Sequence, residues 1–178
     1  MNYNIKKSEI LFRGNVFNLR VDELEYFSGN RGTRETAVHP GGAVVVPVKN
    51  NGNIILVRQF RHPFQKLVLE FPAGKLDSGE DPYNCAVREL EEETGYKSND
   101  VVKLGEIYTT PGFSTEILHI YYAKNMVSGK HNREEGEYGM EIHEYSLEEI
   151  EEMITNGDIV DAKTICGIHL YRNKILKS

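Results

Sequence analysis

The chain has only two cysteines, Cys85 and Cys166, with neither a CxxC pair nor any paired spacing. A disulfide framework and a cysteine-ligated zinc site are therefore not expected, and both thiols read as reduced side chains buried on helices. No apolar run is long enough to span a bilayer, and the polar opening "MNYNIKKSEI" lacks a signal-peptide pattern. Lysine and arginine are scattered and the net charge is -6, so no cationic face for nucleic acid is expected. Low-complexity tracts, long linkers and internal repeats are missing. So are a serine elbow and a phosphate-binding P-loop, since Gly41-Gly42 precedes a strand instead of following one and opening a helix. The histidines, His39, His62, His119, His131, His143 and His169, show no metal-ligand spacing. With these classes set aside, the expectation is a cytoplasmic globular protein with 178 residues, enough for one sizeable core and a small appendage.

What is present alternates short apolar strands with a few helices. Residues 5–27 alternate well enough for two strands around Arg13-Gly14-Asn15. "GGAVVVPVK" (41–49) and "NIILVRQF" (53–60) are β-branched runs separated by Asn50-Asn51-Gly52, a hairpin signal. Further strands are expected at 67–71, 101–110, 115–123 and 140–146. Residues 124–139 read as a polar loop. Ser146-Leu147-Glu148-Glu149 is a capping box opening a helix to about Asn156, and 161–176 fits a terminal helix. The domain reading is a β region over 1–40 and a main domain over 41–178.

The best-defined helix carries a charge problem. Asp81 can cap it, Pro82 suits its first turn, and Gly95 ends it. Ala86, Val87 and Leu90 form its apolar stripe, while Glu89, Glu92 and Glu93 share another face. Each like-charge pair one turn apart costs only about 0.2–0.5 kcal/mol in water, which a stable fold absorbs. Two readings are therefore open: a solvated face, or a site for a hard divalent cation. Mg²⁺ takes oxygen ligands and commonly sits between carboxylates and substrate phosphates, so three carboxylates from one helical turn suit it better than Zn²⁺.

The flanking residues bear on that choice. Gly74, Glu80, Arg88, Glu89, Leu90, Glu92, Glu93 and Gly95 match the pattern G-x5-E-x7-R-E-U-x-E-E-x-G-U, with Tyr96 at the last, usually aliphatic, position. The chain resembles the Nudix hydrolase family. That resemblance implies an α/β (α+β) fold, an αβα sandwich with a mixed sheet, plus a small N-terminal antiparallel sheet. It implies metal ligation by Glu89, Glu92, Glu93 and the Ala73 carbonyl, and it makes Glu93 and Arg88 catalytic, with Arg88 orienting the carboxylates. It also implies Glu80 reaching the metal through water. The cofactor is expected to be Mg²⁺, with Mn²⁺ as the alternative.

"LVRQFRHPFQKLVLEFPAGKLDSGE", "TTPGFSTE", Arg34-Glu35 and "VDAKT" resemble the ADP-ribose pyrophosphatase branch of that family. The implied reaction is hydrolysis of ADP-ribose to AMP and ribose 5-phosphate. Arg61 and Arg34 would contact the substrate phosphates, Arg34 from the N-terminal region of a homodimer. Guanidinium forks suit a diphosphate, although each arginine also reads as an ordinary surface or structural residue. The catalytic base would be Glu135 in the acidic loop "NREEGEYG", with Glu137 and Glu134 as alternatives. Phe17, Phe60 or Phe113 could stack on adenine, but aromatic residues in strands are more often core, so none is taken as a site residue. Other substrates remain open, ADP-glucose and GDP-mannose among them, as does a non-catalytic nucleotide sensor.

Overall fold

The run Gly-Ala-Val-Val-Val-Pro at 42–47 is buried at every position, so it needs cover on both faces of its sheet. The computed structural model describes residues 2–129 and 139–177. It divides into two compact units, Met1–Gly41 with Tyr108–Ile117, and Gly42–Ile107 with Leu118–Ser178.

The first unit carries three antiparallel strands, β1 (Tyr3–Arg13), β2 (Asn18–Tyr26) and β3 (Arg31–Val38), in that spatial order. Two strands are expected here from apolar alternation, and the structure has three. The third, "RGTRETAV", is polar and charged, which suits the edge of a sheet and hides the strand from an apolar-pattern reading.

In the second unit the strands are β4 (Gly42–Pro47), β5 (Ile54–Arg61), β6 (Lys66–Glu70), β7 (Ala73–Lys75), β8 (Tyr96–Lys97), β9 (Asp100–Tyr108), β10 (Ile117–Lys124), β11 (Val127–Ser128) and β12 (Glu141–Tyr145); β9 and β10 each reach one residue into the first unit. The helices are α1 (Pro82–Thr94), α2 (Leu147–Asn156) and α3 (Ala162–Tyr171). The central sheet has the order β7-β4-β10-β9 and is mixed: β4 runs parallel to β10 and antiparallel to β7. A second sheet has the order β12-β5-β6, and β11 pairs with β8.

The expected hairpin between β4 and β5 does not form. Its turn does: the Lys49 N–H donates to the Asn53 carbonyl at 2.8 Å, and Gly52 adopts φ 87°. Just past β4, Val48 makes an isolated antiparallel bridge to Ile54, and the two strands enter different sheets. Both are buried on both faces at their start, and β4 finds its neighbours in β10 and β7.

The period of two along β4 and β10 sorts their side chains onto two cores. Ala43, Val45, Tyr121 and Ala123 pack with Cys85, Ala86 and Leu90 of α1. Val44, Val46, Ile120 and Tyr122 pack with Ile54, Leu56, Phe71, Ile150, Ile168 and Tyr171. Helices thus cover both faces of the central sheet, an αβα sandwich. Each fully buried aliphatic side chain contributes roughly 1.5–3 kcal/mol. The terminal helix is shorter than its expected range: α3 ends at Tyr171, and a π-helical turn continues over Arg172–Leu176. Within the expected polar loop, Val127–Ser128 is a strand, β11. No helix among the described residues is long and apolar enough to cross a membrane.

Candidate active site

Helix α1 is fixed at both ends by its sequence. The Asp81 carboxylate accepts the Tyr83 N–H at 2.9 Å, Pro82 fills the first turn, and Gly95 closes the helix at φ 73°. The buried side is wider than the expected stripe. Cys85, Ala86 and Leu90 face the core, Val87 is half-buried, and Glu89 and Glu93 lie 6% and 2% exposed. Those values exclude a merely solvated acidic face, because an ionised carboxylate is removed from water only where partners compensate it.

The partners are on the neighbouring strand and on the helix itself. Glu93 Oε2 accepts the backbone N–H of Ala73 in β7 at 3.0 Å. Glu89 lies against Gly74, where a Cβ would stand 1.7 Å from its Oε1, so any side chain at 74 would displace this carboxylate. Arg88 is the hub. Its Nη1 donates to Glu89 Oε1 at 2.6 Å and to Glu92 Oε2 at 2.9 Å. Its Nε and Nη2 grip the two Glu80 oxygens at 3.0 Å each, and Nη2 reaches the Lys75 carbonyl at 3.3 Å. The guanidinium pKa is accordingly raised, chiefly by Glu80. The Arg88 hydrogen bonds hold the Glu80 carboxyl at a pKa of about 2. Burial and the charges of Glu89 and Glu80 push the Cys85 thiol up to about 12, so it stays protonated beside the cluster.

Among the described residues, no group of three His, Cys, Asp or Glu side chains is placed so as to hold a metal ion. Arg88 lies among the carboxylates, bonded to Glu89 and Glu92 at once. The donor set itself fits a hard cation: Glu89, Glu92 and Glu93 offer oxygen only, and the missing side chain of Gly74 makes room for the Glu89 carboxylate.

Arg61 ends β5, where its Nε and Nη2 donate to the two oxygens of Glu70 at 2.7 and 2.9 Å. Burial works against the guanidinium's charge, but Glu70, Glu93 and Asp161 outweigh it and raise its pKa. Glu93 is thus close enough for its charge to be felt at Arg61. Spacing in the sequence does not single out Glu70, which pairs with Arg61, or Lys163, which pairs with Glu70, although both lie in the segments "LEFPAG" and "VDAKT". Arg34 lies in the first unit, exposed, with Nη2 donating to the Tyr26 hydroxyl at 2.7 Å and its guanidinium 5.9 Å from that ring's centre. Phe17, Phe60 and Phe113 are not core residues: they are 42%, 54% and 60% exposed. Glu134, Glu135 and Glu137 lie outside the described residues.

Residues 38–166 match the family described as NUDIX domain. An ADP-ribose pyrophosphatase of Bacillus subtilis is 39% identical over 168 residues, covering 93% of this chain and 90% of that protein. A methanol dehydrogenase activator of Bacillus methanolicus is 41% identical, covering 91% and 88%. A GDP-mannose pyrophosphatase of Yersinia enterocolitica is 36% identical, covering 70% and 69%. A solved structure described as an ADP compounds hydrolase superposes with a TM-score of 0.87 at 22% identity, over 99% of this chain and 96% of that one, and so shares the fold.

Proposed function

This chain belongs to the Nudix family and is a Nudix hydrolase, and from that premise we propose that it cuts the pyrophosphate bond of ADP-ribose, with water, to give AMP and ribose 5-phosphate. The observation that carries the chemistry is the buried pair Glu89 and Glu93: Arg88 joins Glu89 to Glu92 beside Gly74, and the Ala73 N–H holds Glu93. The substrate choice rests on the B. subtilis relative, which matches nearly the full length of both chains.

Glu89, Glu92, Glu93 and the Ala73 carbonyl would hold the divalent cation, Mg²⁺ with Mn²⁺ as a substitute. When bound, such a cation neutralises phosphate charge and makes a nearby water more acidic. Arg88 bridges Glu89 and Glu92 and so offsets their mutual repulsion. Arg61 and Arg34 bind the diphosphate through guanidinium N–H groups. Glu135 takes the proton of the attacking water, with Glu137 or Glu134 as the alternative base. The region 1–40 serves a homodimer and presents Arg34, and 41–178 is the catalytic domain. The protein acts in the cytoplasm on a small nucleotide sugar, with neither a membrane nor nucleic acid as partner.

GDP-mannose is the second reading, favoured by the relative that acts on it, although that match spans a smaller share of both chains. The test is product release from ADP-ribose, ADP-glucose, GDP-mannose, NADH and a diadenosine polyphosphate, each with Mg²⁺ and with excess EDTA. The expected result is Mg²⁺-dependent AMP formation, fastest from ADP-ribose. Preference for GDP-mannose would replace the substrate and keep the metal site. Full activity in EDTA would remove the metal from the reaction. Binding of ADP-ribose without turnover on any compound would favour a nucleotide sensor instead.

A further inference from the structure

Glu70 and Lys163 stand 93 residues apart in the chain and meet in the fold. Glu70, the last residue of β6, is 1% exposed, so its charge depends wholly on protein partners. Arg61 takes both oxygens side-on, Nε to Oε1 and Nη2 to Oε2. Lys163 Nζ donates to Oε2 as well, and to Asp161 Oδ1 at 3.0 Å. The remaining Asp161 oxygen accepts the Thr164 N–H at 2.9 Å and the Thr164 hydroxyl at 2.6 Å, and Thr164 Oγ1 in turn accepts the Phe71 N–H at 2.8 Å. The start of α3 is thereby tied to the end of β6.

This arrangement determines how Arg61 is offered. A guanidinium is a planar fork with more than one donor edge. The Nε–Nη2 edge is spent on Glu70, which leaves the Nη1 side of the fork for another anion. The arginine side chain is 39% exposed and helps to line a cleft of about 530 Å³ with Phe64, Lys66, Val160 and Lys163. Lys163 also shares the single negative charge of Glu70, so that charge is not spent on Arg61 alone.

We infer that Glu70 and Lys163 are positioning residues: they hold Arg61 side-on so that its remaining donor edge faces the substrate diphosphate. The inference rests on Arg61 contacting that diphosphate, as proposed above. The competing account is structural, in which the network only stitches α3 to β6.

The experiment measures ADP-ribose binding by calorimetry in EDTA, where no turnover occurs, and KM and kcat with Mg²⁺. The proteins are wild type, Arg61→Ala, Lys163→Met, Lys163→Arg and the double variant Arg61→Ala/Lys163→Met. Lys163→Met is expected to weaken binding and raise KM by about tenfold with kcat little changed, as for loss of one charge-assisted contact. Lys163→Arg should restore most of the loss. The double variant should bind no worse than Arg61→Ala, because Lys163 acts only through Arg61. Should Lys163→Met fail to fold, Lys163→Gln, which still donates to Glu70 without the charge, takes its place with the same expectation. Losses that add in the double variant overturn the inference, as does wild-type binding by the Lys163 variant beside a weakened Arg61→Ala; both leave the Arg61 contact standing. Wild-type binding by Arg61→Ala removes the contact itself, and the inference with it.

Discussion

At the scale of single residues, the acidic helix is stable because each carboxylate has a counterpart. Arg88 joins Glu80, Glu89 and Glu92, and the Ala73 amide meets Glu93. Glu80 gives this a pH signature. Its folded pKa of about 2 lies below its ordinary 4.5, so it is a depressed carboxylate. Its contribution to stability is complete above about pH 4.5 and is lost as the pH falls towards 2. With the side chain 14% exposed, that contribution is on the order of 2–3 kcal/mol. In metal-free protein, urea unfolding of Glu80→Gln should show a deficit of that order at neutral pH that closes on acidification. Parallel stability curves for the two proteins would contradict the pairing. Much of this cluster was legible in the sequence, since spacing alone places Glu89, Glu92 and Glu93 on one face and Arg88 one turn before Glu92. What spacing could not supply was depth: Gly74, Ala73 and Lys75 arrive from β7, and that strand's position depends on its pairing with β4.

At the scale of elements, local chemistry set the helix ends and tertiary pairing set the strands. The Asp81 cap, the Ser146–Glu149 capping box and Gly95 stand where the sequence put them. The β4–β5 link shows the limit. Asn-Gly made the turn, but a turn fixes only where the chain reverses, and strand partners are chosen by what covers both apolar faces. The polar third strand β3 was illegible for a related reason: it is held by its register with β2 and has no apolar alternation of its own. A prediction follows from how α1 divides its tasks. The cap is at its start, while Glu89, Glu92 and Glu93 occupy its last two turns. Asp81→Ala should therefore cost about 1 kcal/mol in unfolding free energy and leave the KM of the folded enzyme near its wild-type value. A large rise in KM at unchanged stability would mean that the start of the helix also takes part in the site.

At the scale of the whole molecule, the two units differ in how well they satisfy themselves. The larger one encloses two apolar cores on either face of its central sheet. In the smaller one, over residues 2–40, only Asp22 and Leu24 are buried. Ile5, Leu11, Phe12, Val16, Phe17 and Phe27 are 56%, 60%, 57%, 61%, 42% and 71% exposed. Strand β1 is eleven residues long with nearly every side chain exposed, which is more apolar surface than a small sheet ordinarily leaves to water. A second copy of the chain is the simplest cover, because a twofold contact would let each sheet bury its neighbour's apolar side chains at once. Sedimentation equilibrium at micromolar concentration should then give twice the 20.3 kDa of one chain. Leu11→Glu with Phe12→Glu, which charges two exposed apolar positions at the irregularity in the β1 register, should shift the protein towards monomer while leaving the larger unit folded by circular dichroism. Because Arg34 lies in the same small sheet, turnover should fall with the dimer fraction and recover as protein concentration is raised. A wild-type protein that sediments strictly as a monomer would exclude the dimer. A monomeric variant with undiminished turnover would separate assembly from catalysis, leaving Arg34 to act, if at all, within its own chain.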